Sequence, residues 1–254
     1  LNSFSVGNGE FTFTVDLTGL QTFPEFHERG ISLGTMSNWG WHSFANPENY
    51  TLEDNYRTYD VHGRQVSYLW QYGKGDEERK LKATNWLREN PHRIHLGMIG
   101  LQILKEDGSE ITVKDIKDNL QKLDLWTGEI TSSFTVEGVP VKVTTVCHPD
   151  KDQISARIES ELIRKGRLKV KSHFPMGIPL PAGYDFDHPE VHKTNVISSN
   201  DSETLFERIQ DNDRYFVKVK HVNGSLEDAS RHLYYIKPGA DNQLFEFSCL
   251  FSKK

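Results

Sequence analysis

The chain has 254 residues, 36% of them hydrophobic, with 30 basic and 36 acidic side chains and a formal net charge of −6. Charges this well mixed draw no polyanion, so nucleic acid and anionic membrane are poor partners. No apolar run reaches the roughly 18 residues of a membrane-spanning helix.

The length suits one large all-β domain, and 14 Phe, 9 Tyr and 5 Trp supply bulky core material. Asn8-Gly9 signals a turn, and Phe11, Phe13, Val15 and Leu17 then alternate with polar residues as a half-buried strand. Ser37 to Tyr59 is different. It carries six aromatics (Trp39, Trp41, Phe44, Tyr50, Tyr56, Tyr59) among Asn, His, Glu, Asp and Arg, with neither strand nor helix periodicity. Pro47 and four asparagines read as loop. Long aromatic loops inside a domain are usually functional. Tyr59 to Trp70 reads as strand broken at His62-Gly63-Arg64, and Gly75 to Asn90 as a helix ended by Pro91. Ile94 to Leu104 reads as a buried strand, with a turn at Asp107-Gly108 leading to a strand at Ile111 to Val113. The spacing of Ile116, Leu120 and Leu123 predicts a short helical turn.

From Trp126 on, turn pairs at Thr127-Gly128, Glu137-Gly138 and Lys165-Gly166 punctuate strands at Ile130–Val136, Val139–Cys147, Gln153–Glu159 and Arg167–His173. Further strands are expected at Thr204–Gln210, Tyr215–His221, His232–Lys237 and Leu244–Phe251. That pattern amounts to about 12 to 16 strands and predicts one large antiparallel β-sandwich with a few short helices, residues 1–254 forming a single domain.

Few local motifs carry chemistry. Glycoside hydrolysis needs two carboxylates facing across a sugar, about 5 Å or roughly 6.5–9.5 Å apart. Glu53 and Asp54 are adjacent, so they point apart and read better as caps of loop amides. The aromatics read either as a sugar platform, with Trp39 and Trp41 stacking on the ring and His42, Tyr50, Glu53, Asp54 and Arg57 bonding hydroxyls, or as the covered edge of an interdomain seam. The residues leave both open. In Asp185-Phe-Asp-His188-Pro-Glu-Val-His192, Pro189 disfavours the helix that a metal pair at His188 and His192 would need, so a solvated loop is expected there. Cys147 and Cys249 read as buried free thiols. No catalytic residue, metal or cofactor is assigned.

The opening FSVGNGEFTFTVDLTGLQTF and the later QKLDLWTGEITSSFTVEGVPVKVTTVCHPDKDQISARIES resemble the amino-terminal domain of glycoside hydrolase family 65-like enzymes. The matching features are the turn Gly7-Asn8-Gly9, the turn Leu123-Asp124-Leu125-x-Thr127-Gly128, and His148-Pro149 with Asp152. The segments SNWGWH and WLRENPHR are similar to those of some bacterial glycosyl hydrolases of this type. The resemblance covers most of residues 4 to 172. It implies a β-supersandwich packed on a carboxyl-terminal (α/α)6 barrel, with inverting catalysis by a barrel glutamate, so no catalytic position transfers to this chain. Trp126 stands where the phosphorylases carry Arg, which weakens the phosphorylase and α-glucoside implications. The functional expectation is a non-catalytic domain of a carbohydrate-active enzyme whose aromatic loop contacts the sugar. A stand-alone carbohydrate-binding module and a purely structural scaffold are the alternatives. The chain opens directly into structure, so either the protein is cytoplasmic or a leader has been removed; the carbohydrate reading alone makes a periplasmic or secreted protein the expectation.

Overall fold

Side chains that alternate along the sequence become strands that bury one face. The computed structural model describes residues 3–27, 30–179, 183–239 and 243–254. Strands β1 (Phe4–Gly7), β2 (Phe11–Val15) and β3 (Thr35–Ser37) form a three-stranded antiparallel sheet. Asn8 builds its first turn, accepting from the Glu10 and Phe11 amides at 3.0 and 2.9 Å. Its Nδ2 donates to the carbonyls of His148 and Lys151 at 3.2 and 3.1 Å. Two motifs that lie far apart in the sequence are thus one contact.

An excursion follows, carrying β4 (Trp41–His42), the hairpin β5 (Tyr56–Val61) and β6 (Arg64–Leu69), helix α1 (Glu78–Glu89) and β7 (His92–Arg93). His62 and Gly63 both have positive φ (53° and 80°), which is how a two-residue loop reverses this hairpin. The chain then enters the sandwich with β8 (Met98–Ile103), β9 (Ile116–Asp124), β10 (Glu129–Val136), β11 (Val139–Cys147) and β12 (Gln153–Glu159). Helix α2 (Glu161–Arg164), capped by the Ser160 hydroxyl, leads to β13 (Leu168–His173), the short β14 (Met176–Gly177) and β15 (Tyr184–Asp185). The remaining strands are β16 (His192–Ser199), β17 (Glu203–Gln210), β18 (Asp213–His221), β19 (Gly224–Ser230), β20 (Leu233–Pro238) and β21 (Leu244–Ser252).

One sheet has eight strands in the order β16-β17-β18-β21-β12-β11-β10-β9, and another has four, β19-β20-β13-β8. All pairings are antiparallel. The chain crosses between these two sheets repeatedly, from β8 to β9, β12 to β13, β13 to β16, β18 to β19 and β20 to β21, which lays one sheet over the other. Their inner faces share a single core with Phe11, Phe13, Leu101, Ile130, Val143, Phe206, Val217 and Phe251. The fold is an all-β sandwich, as the alternation predicts.

Two local readings are corrected. Residues 116–124 are strand, not a helical turn. The three-to-four spacing of Ile116, Leu120 and Leu123 comes from a register shift opposite Ser133 and Thr135, where Asp118 has φ 51°. A bulge of this kind breaks the two-residue alternation without making a helix. After the bridge Leu104↔Glu110, Val113–Asp115 is a 3-10 turn rather than a strand. The solvated-loop reading of Asp185–His192 holds for the exposed His188 but not for His192, which opens β16 and is buried. Cys147 and Cys249 both lie opposite Ile154, on either side of β12. Two strand spacings of about 4.8 Å separate them, too far for a disulfide. Both are free, and burial raises the Cys147 thiol to about 11.

The core also holds polar groups. Asp16 is fully buried, and its carboxylate accepts from the Thr18 amide (2.8 Å) and hydroxyl (2.6 Å) and the Phe23 amide (2.7 Å). Burial still raises its pKa against those bonds. Gln21 bridges sheets, donating to Thr14 O at 3.0 Å and accepting from the Ile99 amide at 3.0 Å. Gly100 is required beside it, because a Cβ there would lie 2.4 Å from the Gln21 carbonyl oxygen.

Arg208, on β17, has no exposure at all and no carboxylate partner among the described residues. It donates to the carbonyls of Lys193 (2.8 Å) and Pro175 (2.9 Å), to the Thr194 hydroxyl, and to His192 Nδ1 (2.9 Å). The His192 ring stacks on His232 with centroids 3.9 Å apart. Desolvation first, then the Arg208 charge, lower His192 to about 3; desolvation lowers His173 to about 4. An unfolded chain would protonate these rings near 6.5, so it binds more protons than the folded one below that pH. The contribution of these rings to stability should therefore fall as pH drops from about 6.5 towards 4 and be flat above 7. Urea midpoints across that range check this. His192→Gln should lower the midpoint at neutral pH yet flatten the acid slope; an unchanged slope would remove His192 from the account.

Candidate functional site

The site is made by a short pairing that sequence periodicity does not reveal. Strand β4 pairs with β7 in the register Trp41↔Arg93 and His42↔His92. The two segments SNWGWH and WLRENPHR are therefore hydrogen-bonded neighbours. Pairing puts Trp41 and Arg93 on one side and His42 and His92 on the other. Arg93 lies over the Trp41 ring, 4.0 Å from its centroid, and its Nη1 donates to the carbonyls of Ser37 (2.7 Å) and Asn38 (3.3 Å). Trp41 Nε1 donates to Asn38 O at 3.0 Å, and the indole remains 43% exposed. Both planes are thus held in place before any ligand arrives.

A cleft of about 510 Å³ opens beside them, lined by Trp41 and Arg93, by Asn85, Arg88 and Glu89 of α1, and by His92. Met36, Pro91, Ile178 and Pro179 supply apolar wall. Helix α1 is anchored to the excursion, not to the main core. Arg79 clasps Asp54 with bonds of 2.8 and 3.1 Å, Trp86 Nε1 donates to Ala45 O at 3.2 Å, and Asn90 Oδ1 accepts from the Phe44 amide at 2.7 Å.

The seven residues singled out in the sequence fall into separate places. Trp41 lines the cleft. Trp39, only two residues away, turns inward. Its Nε1 donates to Asp152 Oδ2 at 2.6 Å, beside the Ser37 hydroxyl at 2.5 Å, and its ring packs at 6.1 Å from Tyr215. His42 is 1% exposed. Its Nδ1 donates to Asp213 at 2.9 Å, while Asp211 lies 3.2 Å from Nε2 but off the direction a hydrogen bond needs.

Tyr50, Glu53 and Asp54 surround Arg79 and α1. Arg79 lies over the Tyr50 ring at 5.3 Å, and the Tyr50 and Trp86 centroids are 6.4 Å apart. Asp54 caps the Thr51 amide at 2.9 Å, and that bond followed by Arg79 lowers its pKa; the Thr51 hydroxyl lowers Glu53. Arg57 sits on the β5–β6 hairpin over Tyr59 (5.3 Å) and Trp70 (4.9 Å).

The cleft residues Asn85, Arg88, Glu89, His92 and Arg93 carry no motif of their own. The signal that points to Arg88, Glu89, His92 and Arg93 is the WLRENPHR segment, Trp86 to Arg93, which shares the loop's aromatic and cationic character; Asn85 lies just before it. One carboxylate, Glu89, lines the cleft among the described residues. No cluster of His, Cys, Asp and Glu suited to a metal occurs among the described residues.

No protein-family profile and no curated protein matches the chain. Among solved structures it is similar to a protein described as a kojibiose phosphorylase from the human microbiome, at 12% identity and a TM-score of 0.48. That likeness covers 98% of this chain and 30% of the other. It is also similar to the GH36 alpha-galactosidase from Geobacillus stearothermophilus, at 12% identity and a TM-score of 0.38, covering 99% of this chain and 40% of that one. The chain thus spans less than half the length of either. At these identities and scores neither likeness fixes a family or an activity.

The two tryptophans should separate in mutagenesis. Trp39→Phe removes a charge-assisted bond from a packed ring and should lower unfolding stability by about 1.5–3 kcal/mol. Trp41→Ala removes a surface ring and should cost less than about 1 kcal/mol. Equal losses in guanidinium melts would contradict this division of roles.

Proposed function

We propose that this chain is a non-catalytic, carbohydrate-contacting domain of a carbohydrate-active enzyme. The observation that carries this reading is the Trp41 cleft. Its indole is exposed, hydrogen-bonded to Asn38 O and stacked against Arg93, and ringed by Asn85, Arg88, Glu89 and His92. Sugars present an apolar C–H face and a rim of hydroxyls, and a stacking ring beside convergent polar groups suits both. Cleavage of a glycosidic bond needs a second opposed carboxylate. Glu89 alone lines the cleft among the described residues, which favours binding over hydrolysis.

The order of sequence motifs adds a second support and extends the reading. The chemistry would lie on a barrel of the same protein, on which this domain packs. Exposed Leu125 and Trp126 at the tip of the β9–β10 hairpin and the aromatic face of β5–β6 are surfaces suited to that packing.

Titration of the chain with a panel of neutral oligosaccharides, followed by tryptophan fluorescence, tests the reading. At least one glycan should bind, and Trp41→Ala should weaken it by about 2 kcal/mol or more, as loss of a central aromatic anchor does elsewhere. A panel without a response, or a Trp41→Ala variant that binds equally well, would sink it.

A further inference from the structure

The chemistry around Trp41 narrows the ligand. Resting on the carbohydrate reading, we propose that the cleft takes an acidic sugar, a uronate whose carboxylate is received by Arg88 and Arg93.

The first ground is the state of these two guanidinium groups. Arg79, Arg157, Arg164, Arg167 and Arg214 each have a carboxylate within 4.0 Å. Arg88 and Arg93 make no ion pair among the described residues, as is also true of Arg57, Arg64, Arg208 and Arg231, but they alone of these line the cleft beside Trp41. A planar guanidinium with unused N–H groups matches a carboxylate in a two-bond fork, which an ammonium cannot do.

The second ground is preorganisation. Arg93 is not a loose surface side chain. One of its terminal nitrogens is committed to the Ser37 and Asn38 carbonyls, and its plane lies 4.0 Å from the Trp41 centroid. The entropy of ordering it is therefore already lost before binding. The third ground is charge. The whole chain carries −6, yet this cleft holds two arginines against Glu89. A local excess opposite to the overall sign selects anions at the cleft while the rest of the surface repels them. Trp41 and Asn85 remain for the ring face and hydroxyls, and Glu89 accepts from hydroxyls away from the carboxylate.

The test compares three ligands of one length: a galacturonic acid tetramer, its methyl ester and a neutral galactose tetramer. The acid should bind about tenfold more tightly than the ester, the size of one charge-assisted hydrogen bond. That preference should vanish in Arg88→Gln, shrink in Arg93→Lys, which keeps the charge without the fork, and fade as ionic strength rises from about 0.01 M to about 1 M. Trp41→Ala should weaken all three ligands alike. If acid, ester and neutral tetramer bind equally, or the acid preference survives Arg88→Gln, the uronate assignment is overturned while the carbohydrate reading stands. If none of the three binds and the neutral panel is also silent, both fall together.

Discussion

Arg208 is a charge in a place that should not hold one. Burying an ion without a counter-ion is expensive, and here no carboxylate compensates. The cost is met by geometry. Two carbonyls, a hydroxyl and an imidazole lone pair surround the guanidinium and come from two separate stretches of chain. Pro175 lies just past β13 of the four-stranded sheet, while Lys193, Thr194 and His192 belong to the edge strand of the eight-stranded one. The ion therefore fixes how β16 and the turn after β13 meet. Tyr215, 3.4 Å from Arg208 Nε, extends the same network by donating to Leu96 O at 2.9 Å. Trp39 leans on Tyr215 and ends on Asp152. A continuous polar and aromatic line thus runs from the buried ion to the strand that carries Trp41.

This line explains the division of labour in the aromatic segment. Residues 37–42 divide between two duties because a turn at residues 38–40 separates the end of β3 from β4, so Trp39 and Trp41 do not share a face. Ser37, Trp39 and His42 are spent on holding the segment to Asp152 and Asp213. Trp41 is the side chain left over. The excursion behind it, with α1 clasped through Arg79 and Trp86, brings the second wall of the cleft to face it.

The sandwich was legible where strands alternate cleanly, as in Ile130–Val136 and Leu244–Phe251, because one face of each is buried and the other wet. It was illegible at Ile116–Leu123, where a single bulge at Asp118 shifts the period, and at His192–Ser199, an edge strand with polar residues on both faces. The aromatic segment stood out by composition, but composition cannot tell an indole that bonds Asp152 from one that meets solvent. That distinction rests on partners more than a hundred residues away. Arg88 and Arg93 were hidden for the same reason: only the pairing of β4 with β7 puts Arg93 beside Trp41, and only the packing of α1 brings Arg88 to the same cleft.

Those distant partners also bear on the order in which the molecule is made. Asn8 is clasped to residues 140 and 143 positions further on, and Trp39 to a carboxylate 113 positions further on. Contacts of such long range close slowly, because the loop must be ordered before they return anything. A ribosome delivers the amino end first. The aromatic segment therefore leaves the tunnel well before Asp152 and Tyr215 exist to hold it. The most adhesive part of the chain waits longest for its anchor, and its interleaved Asn, Glu, Asp and Arg residues keep it in water during the wait.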